Sequence, residues 1–113
     1  MSETIFAKII NKEIPSDIIY EDEQCVAFRD VNPQAPVHFL VVPRQAIDKL
    51  QNMTAEDEAL IGHLHRVITE LADQEGIADG YRVVVNSGVS AGQSVFHLHF
   101  HVLGGRSMRW PPG

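Results

Sequence analysis

The stretch Ser94-Val-Phe-His-Leu-His-Phe-His-Val-Leu103 places three histidines at alternate positions, with large apolar residues between them. Successive side chains of a β-strand point to opposite faces, so this spacing predicts a strand with His97, His99 and His101 on one face. The other face carries four apolar residues that suit a hydrophobic core: Phe96, Leu98, Phe100 and Val102. The stretch therefore predicts a sheet and, on it, a row of imidazoles suited to acid, base and nucleophilic chemistry near neutral pH.

The rest of the composition is typical of one globular domain. The chain has 113 residues, 44% of them hydrophobic, which predicts a single domain over residues 1–113. A net charge of −6 argues against a nucleic-acid partner. No apolar run approaches the roughly 20 residues of a membrane span, and the N-terminus lacks the pattern of a signal peptide. We therefore expect no membrane partner. Because the single cysteine, Cys25, cannot form an internal disulfide, we also expect a cytoplasmic protein.

The hydrophobic periodicity predicts short strands and two helices. A short helix is expected over residues 6–11. Apolar residues at helical spacing predict a long helix that begins after Thr54 and ends at Gly76. Strands are expected at residues 18–21, 25–29, 37–42, 81–86 and 94–103. Five strands mostly in hairpin order, with one long and one short helix, indicate an α+β fold with a five-stranded antiparallel sheet.

The residues alone leave three interpretations of the histidine row. The imidazoles could face solvent, hold a metal, or act in covalent or acid–base catalysis on a phosphorylated substrate. Two histidines at i and i+2 can share a zinc ion, but the outer two lie about 13 Å apart along a strand. A metal would therefore need another ligand, and no CxxC, HExxH or carboxylate-rich cluster supplies one. We favour the catalytic interpretation and expect no metal and no other cofactor.

Four further features are candidate parts of a site. His38, in an otherwise apolar strand, is either a packing residue or a support for the histidine row. Asp30, before a proline loop, is either a turn residue or an acceptor for sugar hydroxyls. The loop 88–94 contains two glycines, so its backbone N–H groups can approach an anion closely. Trp110, beside two prolines, needs a surface to cover, on its own domain or on a partner subunit.

With these motifs in view, the sequence resembles the histidine-triad (HIT) superfamily, whose signature is His-x-His-x-His followed by two apolar residues. It is most similar to the Hint branch, the purine nucleoside phosphoramidases or histidine triad nucleotide-binding proteins. The likeness extends over almost the whole chain. It rests on residues 4–10 (TIFAKII), 12–15 (KEIP), 33–36 (PQAP), 38–41 (HFLV), 80–86 (GYRVVVN), 92–94 (GQS), 97–103 (HLHFHVL) and 110–113 (WPPG).

The resemblance implies an assembly and an activity. The assembly is a homodimer with the long helices at the interface and the two HIT-like sheets forming a continuous ten-stranded sheet. Its C-terminal tail, residues 104–113, reaches the partner subunit. The activity is metal-independent hydrolysis of purine nucleoside 5′-phosphoramidates, through a covalent nucleotidyl-histidine intermediate and with an AMP-type product. The alternatives are a dinucleoside polyphosphate hydrolase and a nucleotide-sensing or scaffolding module.

The resemblance also implies a role for each matching position. His99 is the nucleophile that attacks the α-phosphorus, His97 orients it, and His101 contacts phosphate near the leaving group. The other expected positions are Ser94 beside the scissile bond, Gly92 and Gln93 in the phosphate loop, Asn86 at the phosphate or sugar, Asp30 and Val31 at the ribose, His38 behind the triad, and Trp110 near the leaving group.

Overall fold

The computed structural model describes residues 3–113, which form an α+β fold with a five-stranded antiparallel sheet. Its α-helices are α1 (Ile5–Ile10) and α2 (Glu58–Gln74). Its strands are β1 (Ile18–Glu21), β2 (Cys25–Arg29), β3 (Val37–Pro43), β4 (Tyr81–Val84) and β5 (Phe100–Gly104). The predicted fold class, with one long and one short helix, is confirmed.

The strand order in the sheet is β1-β2-β3-β5-β4, so β5 lies between β3 and the edge strand β4. This differs from a simple succession of hairpins, because α2 carries the chain from β3 across to the far edge of the sheet. β5 then returns between β3 and β4 and pairs antiparallel with both of them. Its residue His101 lies opposite Leu40 of β3 and Val84 of β4. The histidine strand is therefore an interior strand that is held on both sides.

The sheet separates two hydrophobic clusters. On one face α2 packs its buried stripe against the strands, with Leu64, Val67, Ile68 and Leu71 almost fully enclosed. On the other face α1 packs against β2 and β3. That smaller cluster consists of Phe6, Ile9, Ile10, Val26, Phe28, Leu40 and Val42. The short helix thereby covers the face of the sheet on which His99 contacts Phe6.

The long helix ends where the sequence predicts, but it begins at Glu58 rather than directly after Thr54. A short 3-10 turn at Ala55–Asp57 precedes it, and there the Asp57 carboxylate accepts a hydrogen bond from the Thr54 backbone N–H at 2.9 Å. Gly76 follows the helix with a φ of 76°, which favours glycine after a helix C-terminus. Across residues 3–113, no helix is both long and apolar enough to cross a membrane.

The histidine strand is shorter than predicted, because β5 begins at Phe100 rather than at residue 94. Its partner β3 ends at Pro43, which has no N–H for the next rung of the ladder. The Leu98 N–H instead donates to the Ile47 carbonyl at 2.7 Å. Residues 95–97 bend as a result, and Phe96 is 39% exposed rather than buried in the core. The predicted strand 81–86 is also shorter, ending at Val84.

Candidate active site

A cavity of about 470 Å³ opens between α1 and the sheet. Seven predicted site residues line it: Asp30, Val31, Asn86, Gly92, Ser94, His99 and His101. Residues that the sequence analysis did not assign to a site form the rest of the wall: Ile5, Phe6, Ile9, Ile14, Pro15, Ser16, Phe28, Arg29, Leu40 and Val95. Two of these, Phe6 and Ile9, are buried residues of α1, and their apolar spacing could have indicated a helix face packed against the sheet. The cavity therefore combines an apolar wall with a polar one.

His99 is buried, with 6% of its surface exposed, and its ring orientation is fixed on two sides. Its Nδ1 lies 2.7 Å from the carbonyl oxygen of His97. Because a carbonyl can only accept, the proton of the neutral ring lies on Nδ1 and the lone pair on Nε2. The edge of the Phe6 ring packs against the imidazole, with 4.8 Å between ring centroids. In its neutral form His99 is thus held with a free lone pair at Nε2.

His97 does not line the cavity. Its ring is 3% exposed, and its Nε2–H donates to the carbonyl of Pro43 at 2.7 Å. This hydrogen bond anchors residue 97 to the end of β3, and the main-chain carbonyl of the same residue holds His99. His97 therefore contacts the next histidine of the motif through its backbone.

His38 and His101 form the other half of the histidine cluster. The backbone N–H of Gln34 donates to His38 Nδ1 at 3.0 Å, which puts the His38 proton on Nε2. That Nε2–H donates to His101 Nδ1 at 2.9 Å, so the proton of His101 is on its own Nε2. The Asp30 carboxylate lies 3.4 Å from His38 Nε2. His101, which lines the cavity, therefore has a hydrogen-bond donor at Nε2.

Burial lowers the pKa of each of these histidines below its ordinary value. Desolvation is the main cause for His38, His97 and His99. The pKa of His101 falls to about 4, first through burial and then through the neighbouring His99 and His38. Charging any of these rings inside the protein is therefore unfavourable. At neutral pH the cluster consists of uncharged imidazoles with defined donor and acceptor sides.

The loop before the histidines is organised by Gln93, which is 5% exposed and lies outside the cavity wall. Its Oε1 accepts from the Gly88 N–H at 2.8 Å. Its Nε2 donates to the carbonyls of Asp48 and Val95, at 2.7 and 3.0 Å. Gly88 has a φ of 103°, a conformation that favours glycine. The Gln93 side chain is thus occupied by backbone groups within the protein.

Trp110 lies away from the cavity lining of its own chain and is 81% exposed. The preceding part of the tail is fixed to the domain, since Arg82 Nη2 donates to the carbonyl of Arg109 at 2.8 Å. The chain therefore does not provide a surface that covers this indole. Of the two expectations for Trp110, contact with its own domain is wrong, and contact with a partner subunit stays a prediction.

Two clusters in the described part of the chain have ligand atoms close enough for a metal ion: Asp30, His38 and His101, and Asp22, Cys25 and His63. In the first, the Gln34 N–H at His38 Nδ1 keeps a proton on Nε2, the atom that would have to bind the metal. In the second, burial raises the pKa of the Cys25 thiol to about 12, which disfavours the thiolate ligand. In each donor set a metal ion would therefore have to displace a proton from one of its ligand atoms, so neither set fits a metal ion as it stands.

Comparisons with known proteins extend over nearly the whole chain. A family model described as HIT domain matches residues 11–108. The chain is 60% identical to an uncharacterized HIT-like protein of Synechococcus elongatus, over 100% of both. It is 54% identical to a 14 kDa zinc-binding protein of Zea mays, over 99% of this chain and 89% of that protein. A crystal structure of a HIT family hydrolase from Legionella pneumophila has a TM-score of 0.96 and 41% identity, covering 98% of this chain and 100% of that chain.

Proposed function

Because this chain belongs to the HIT domain family, we propose that it hydrolyses purine nucleoside 5′-phosphoramidates, as a member of the Hint branch. Its fold is that of a protein described as a HIT family hydrolase, which supports hydrolysis as the reaction type. The observation that carries the proposal is the free Nε2 lone pair of His99, a residue of the cavity wall. A fixed neutral imidazole is a nucleophile that needs no general base.

The cavity has an apolar wall and a polar wall, and this combination supports a purine nucleotide as the substrate. Apolar residues such as Phe6, Ile9 and Leu40 suit the faces of a purine ring. The Asp30 carboxylate can accept hydrogen bonds from ribose hydroxyls, with the exposed Val31 beside it. Since the net charge of −6 repels an anion, the phosphate depends on local donors. The candidates are Asn86, the Gly92 backbone, Ser94 and the Nε2–H of His101.

The proposed reaction has two steps. First, the His99 Nε2 lone pair forms a bond to the α-phosphorus as the P–N bond breaks, and the departing amine takes a proton from solvent. A water oxygen then bonds to the phosphorus, the bond to His99 breaks, and the water returns a proton to solvent. The products are the amine and a nucleoside monophosphate. The Nε2–H of His101 donates a hydrogen bond to a phosphoryl oxygen, where charge develops.

We propose that this reaction requires no metal ion. The name of the maize relative records zinc binding for that protein. In this chain the His38 proton occupies the atom that a metal would need, as described above. The chemistry proposed for His99 uses only its own lone pair and hydrogen-bond donors of the cavity wall.

The proposal includes a homodimer in which the tail of one subunit contributes to the site of the other. β4 pairs with β5 on one side and forms an edge of the sheet, which supports pairing with a second copy. The 81% exposure of Trp110 supports a partner surface for the tail. We also expect the protein in the cytoplasm, where a single buried cysteine stays reduced.

The test is turnover of an adenosine 5′-phosphoramidate by the wild type and by His99→Ala. We expect the variant to lose on the order of 10³-fold or more in kcat, as for other removed nucleophiles, and to keep AMP binding. His65→Ala is the matched control, because that exposed histidine of α2 lies outside the cavity. Wild-type activity should persist in excess chelator.

Three results would contradict parts of the proposal. Full activity of His99→Ala would exclude the covalent intermediate on that residue. Loss of activity on chelation with rescue by stoichiometric zinc would support a metal enzyme instead. Faster turnover of a diadenosine polyphosphate than of the phosphoramidate would favour the dinucleoside polyphosphate hydrolase, and AMP binding without turnover of either would favour a sensing or scaffolding module.

A further inference from the structure

We propose that Arg106, which lies outside the cavity, is a positioning residue that sets the tautomer of His101 through Gln34 and His38. The catalytic consequence of this inference rests on the function proposed above, whereas the tautomer itself can be measured without any substrate. Arg106 is exposed and is not among the residues assigned to the site. Its influence depends on a continuous series of hydrogen bonds.

The series begins at the base of the C-terminal tail. Arg106 donates through Nε and Nη2 to the Gln34 carbonyl, at 3.2 and 3.1 Å. The N–H of the same residue donates to His38 Nδ1 at 3.0 Å. His38 Nε2–H in turn donates to His101 Nδ1 at 2.9 Å. The Gln34 N–H fixes the proton of His38 on Nε2, and the His38 N–H fixes that of His101 on Nε2. The Nε2 donor of His101 therefore depends on the orientation of Gln34, which Arg106 holds through the carbonyl.

The loop that contains Gln34 is held by the tail base rather than by a strand partner. Pro33 and Pro36 deprive it of two backbone N–H donors. The loop also packs closely against the residue before Arg106, since a Cβ on Gly105 would lie 3.0 Å from Pro36. Two parallel N–H groups from one rigid guanidinium constrain a carbonyl better than a single donor does. Arg106 is therefore the side chain that orients this loop from outside.

Loss of this constraint changes which atom of His101 carries the proton. The Gln34 N–H points at His38 Nδ1, so a proton on that nitrogen would face another N–H group. If the Gln34 N–H turns away, His38 Nδ1 is free to carry the proton. His38 Nε2 can then accept from a protonated His101 Nδ1. In that arrangement His101 has a lone pair at Nε2 and no donor for a phosphoryl oxygen. The His101 ring stays uncharged, but its Nε2 changes from a hydrogen-bond donor to an acceptor.

The experiment is a comparison of Arg106→Ala with the full-length wild type by ¹⁵N NMR of the histidine rings. The shifts of Nδ1 and Nε2 distinguish a protonated from an unprotonated ring nitrogen. In the wild type we expect the His101 proton on Nε2. In Arg106→Ala we expect part of the population to move it to Nδ1, and kcat for an adenosine 5′-phosphoramidate to fall about 3- to 10-fold, the effect of one or two lost hydrogen bonds.

Three variants separate this effect from charge and from tail mobility. Arg106→Lys keeps the charge and one donor to Gln34, so it should restore much of the wild-type ring spectrum. Arg82→Ala removes another arginine that holds a tail carbonyl and should leave the His101 tautomer unchanged. Gln34→Ala keeps both backbone groups and removes only the side-chain contact to the Asn32 carbonyl, so it should also resemble the wild type.

An unchanged His101 ring spectrum in Arg106→Ala would overturn the inference, whatever the activity does. The same shift in Arg82→Ala would overturn it too, because the cause would then be general loosening of the tail. A shifted tautomer in a protein that hydrolyses no phosphoramidate would support the hydrogen-bond series and contradict the proposed function. The two failures are therefore distinguishable.

Discussion

At the scale of single residues, hydrogen bonds with main-chain groups decide which ring nitrogen of each histidine carries the proton. The carbonyl of His97 leaves His99 with a free Nε2 lone pair. The carbonyl of Pro43 binds the ring of His97, and the N–H of Gln34 begins the series that leaves His101 with an Nε2 donor. The sequence identified these histidines as a group, but their protonation depends on backbone partners that no residue type records.

Gln93 provides a residue-scale prediction about the loop that carries Gly92 and Ser94. In Gln93→Glu both N–H donors are lost, and a carboxylate faces the carbonyls of Asp48 and Val95. We expect a loss of about 1–3 kcal/mol in the free energy of unfolding, the cost of buried polar groups left without partners. Denaturant unfolding measures this loss, and kcat/KM for the phosphoramidate should fall with it.

Gln24→Glu is the matched control for that variant, because it makes the same chemical change at an exposed position of the turn between β1 and β2. It should keep both the stability and the kinetics of the wild type within experimental error. If Gln93→Glu also kept them, the side chain of Gln93 would not organise the loop, and direct contact with phosphate would become the better explanation of its place in the motif.

At the scale of elements, β5 is the strand on which core and site depend together. It pairs with β3 and β4, places Phe100 and Val102 in the cluster under α2, and carries His101 in the cavity wall. Its last residue, Gly104, is buried against Ile77, which follows α2. The end of β5 is therefore in contact with the segment that leads from the long helix to β4.

Gly104→Ala tests this contact. An added Cβ would lie 2.9 Å from the Cβ of Ile77, closer than packed atoms allow, so the backbone of one segment must move. We expect a loss of about 1–3 kcal/mol in the free energy of unfolding, as for other overpacked sites. Denaturant unfolding measures it, with Gly80→Ala as the control, because no atom lies within 4 Å of the Cβ added there.

The double variant Gly104→Ala/Ile77→Ala completes the cycle. Ile77→Ala removes Cδ1 and Cγ2, which would lie 2.8 and 2.9 Å from the added Cβ, and keeps only the Ile77 Cβ. If the clash is the cause, the two substitutions should be non-additive, with the second recovering part of the loss due to the first. Simple additivity of the two losses would mean that Gly104 is needed for its backbone conformation rather than for the space beside Ile77.

At the scale of the whole molecule, the sheet separates the main core from the cavity. α2 stabilises one face, while α1 covers the other and leaves the cavity beside it. The tail leaves from the end of β5, is tied to the domain by Arg106 and Arg82, and ends in the exposed Trp110. Changes beyond Arg109 should therefore affect an intersubunit contact without disturbing either cluster.

Deletion of residues 110–113 tests the proposed role of the tail. Because Trp110 makes no large buried contact with its own chain, we expect an unchanged unfolding midpoint and an unchanged dimer by sedimentation. The ratio of kcat/KM between phosphoramidates with small and large leaving groups should change. The same ranking of substrates in both proteins would exclude a role in specificity, and a monomeric truncated protein would show that the tail serves assembly.

The sequence by itself determined the features that depend on residues close together in the chain. Apolar residues at helical spacing identified α2 and its C-terminal end, and two short runs on either side of the polar turn 22–24 identified β1 and β2 with the observed limits. The spacing of the three histidines identified the superfamily. Each of these signals is local, because helix and strand periodicities repeat within two to four residues.

Only the tertiary structure decided the strand order, the start of β5 and the proton positions of the histidines. β5 begins at Phe100 because its neighbour β3 ends in a proline, and His97 is anchored by a carbonyl 54 residues away. Gln93 likewise turns inward toward the carbonyl of Asp48, 45 residues away. These contacts cannot be predicted from residue type, because almost every residue has the same backbone N–H and C=O groups. Only folding brings particular ones together.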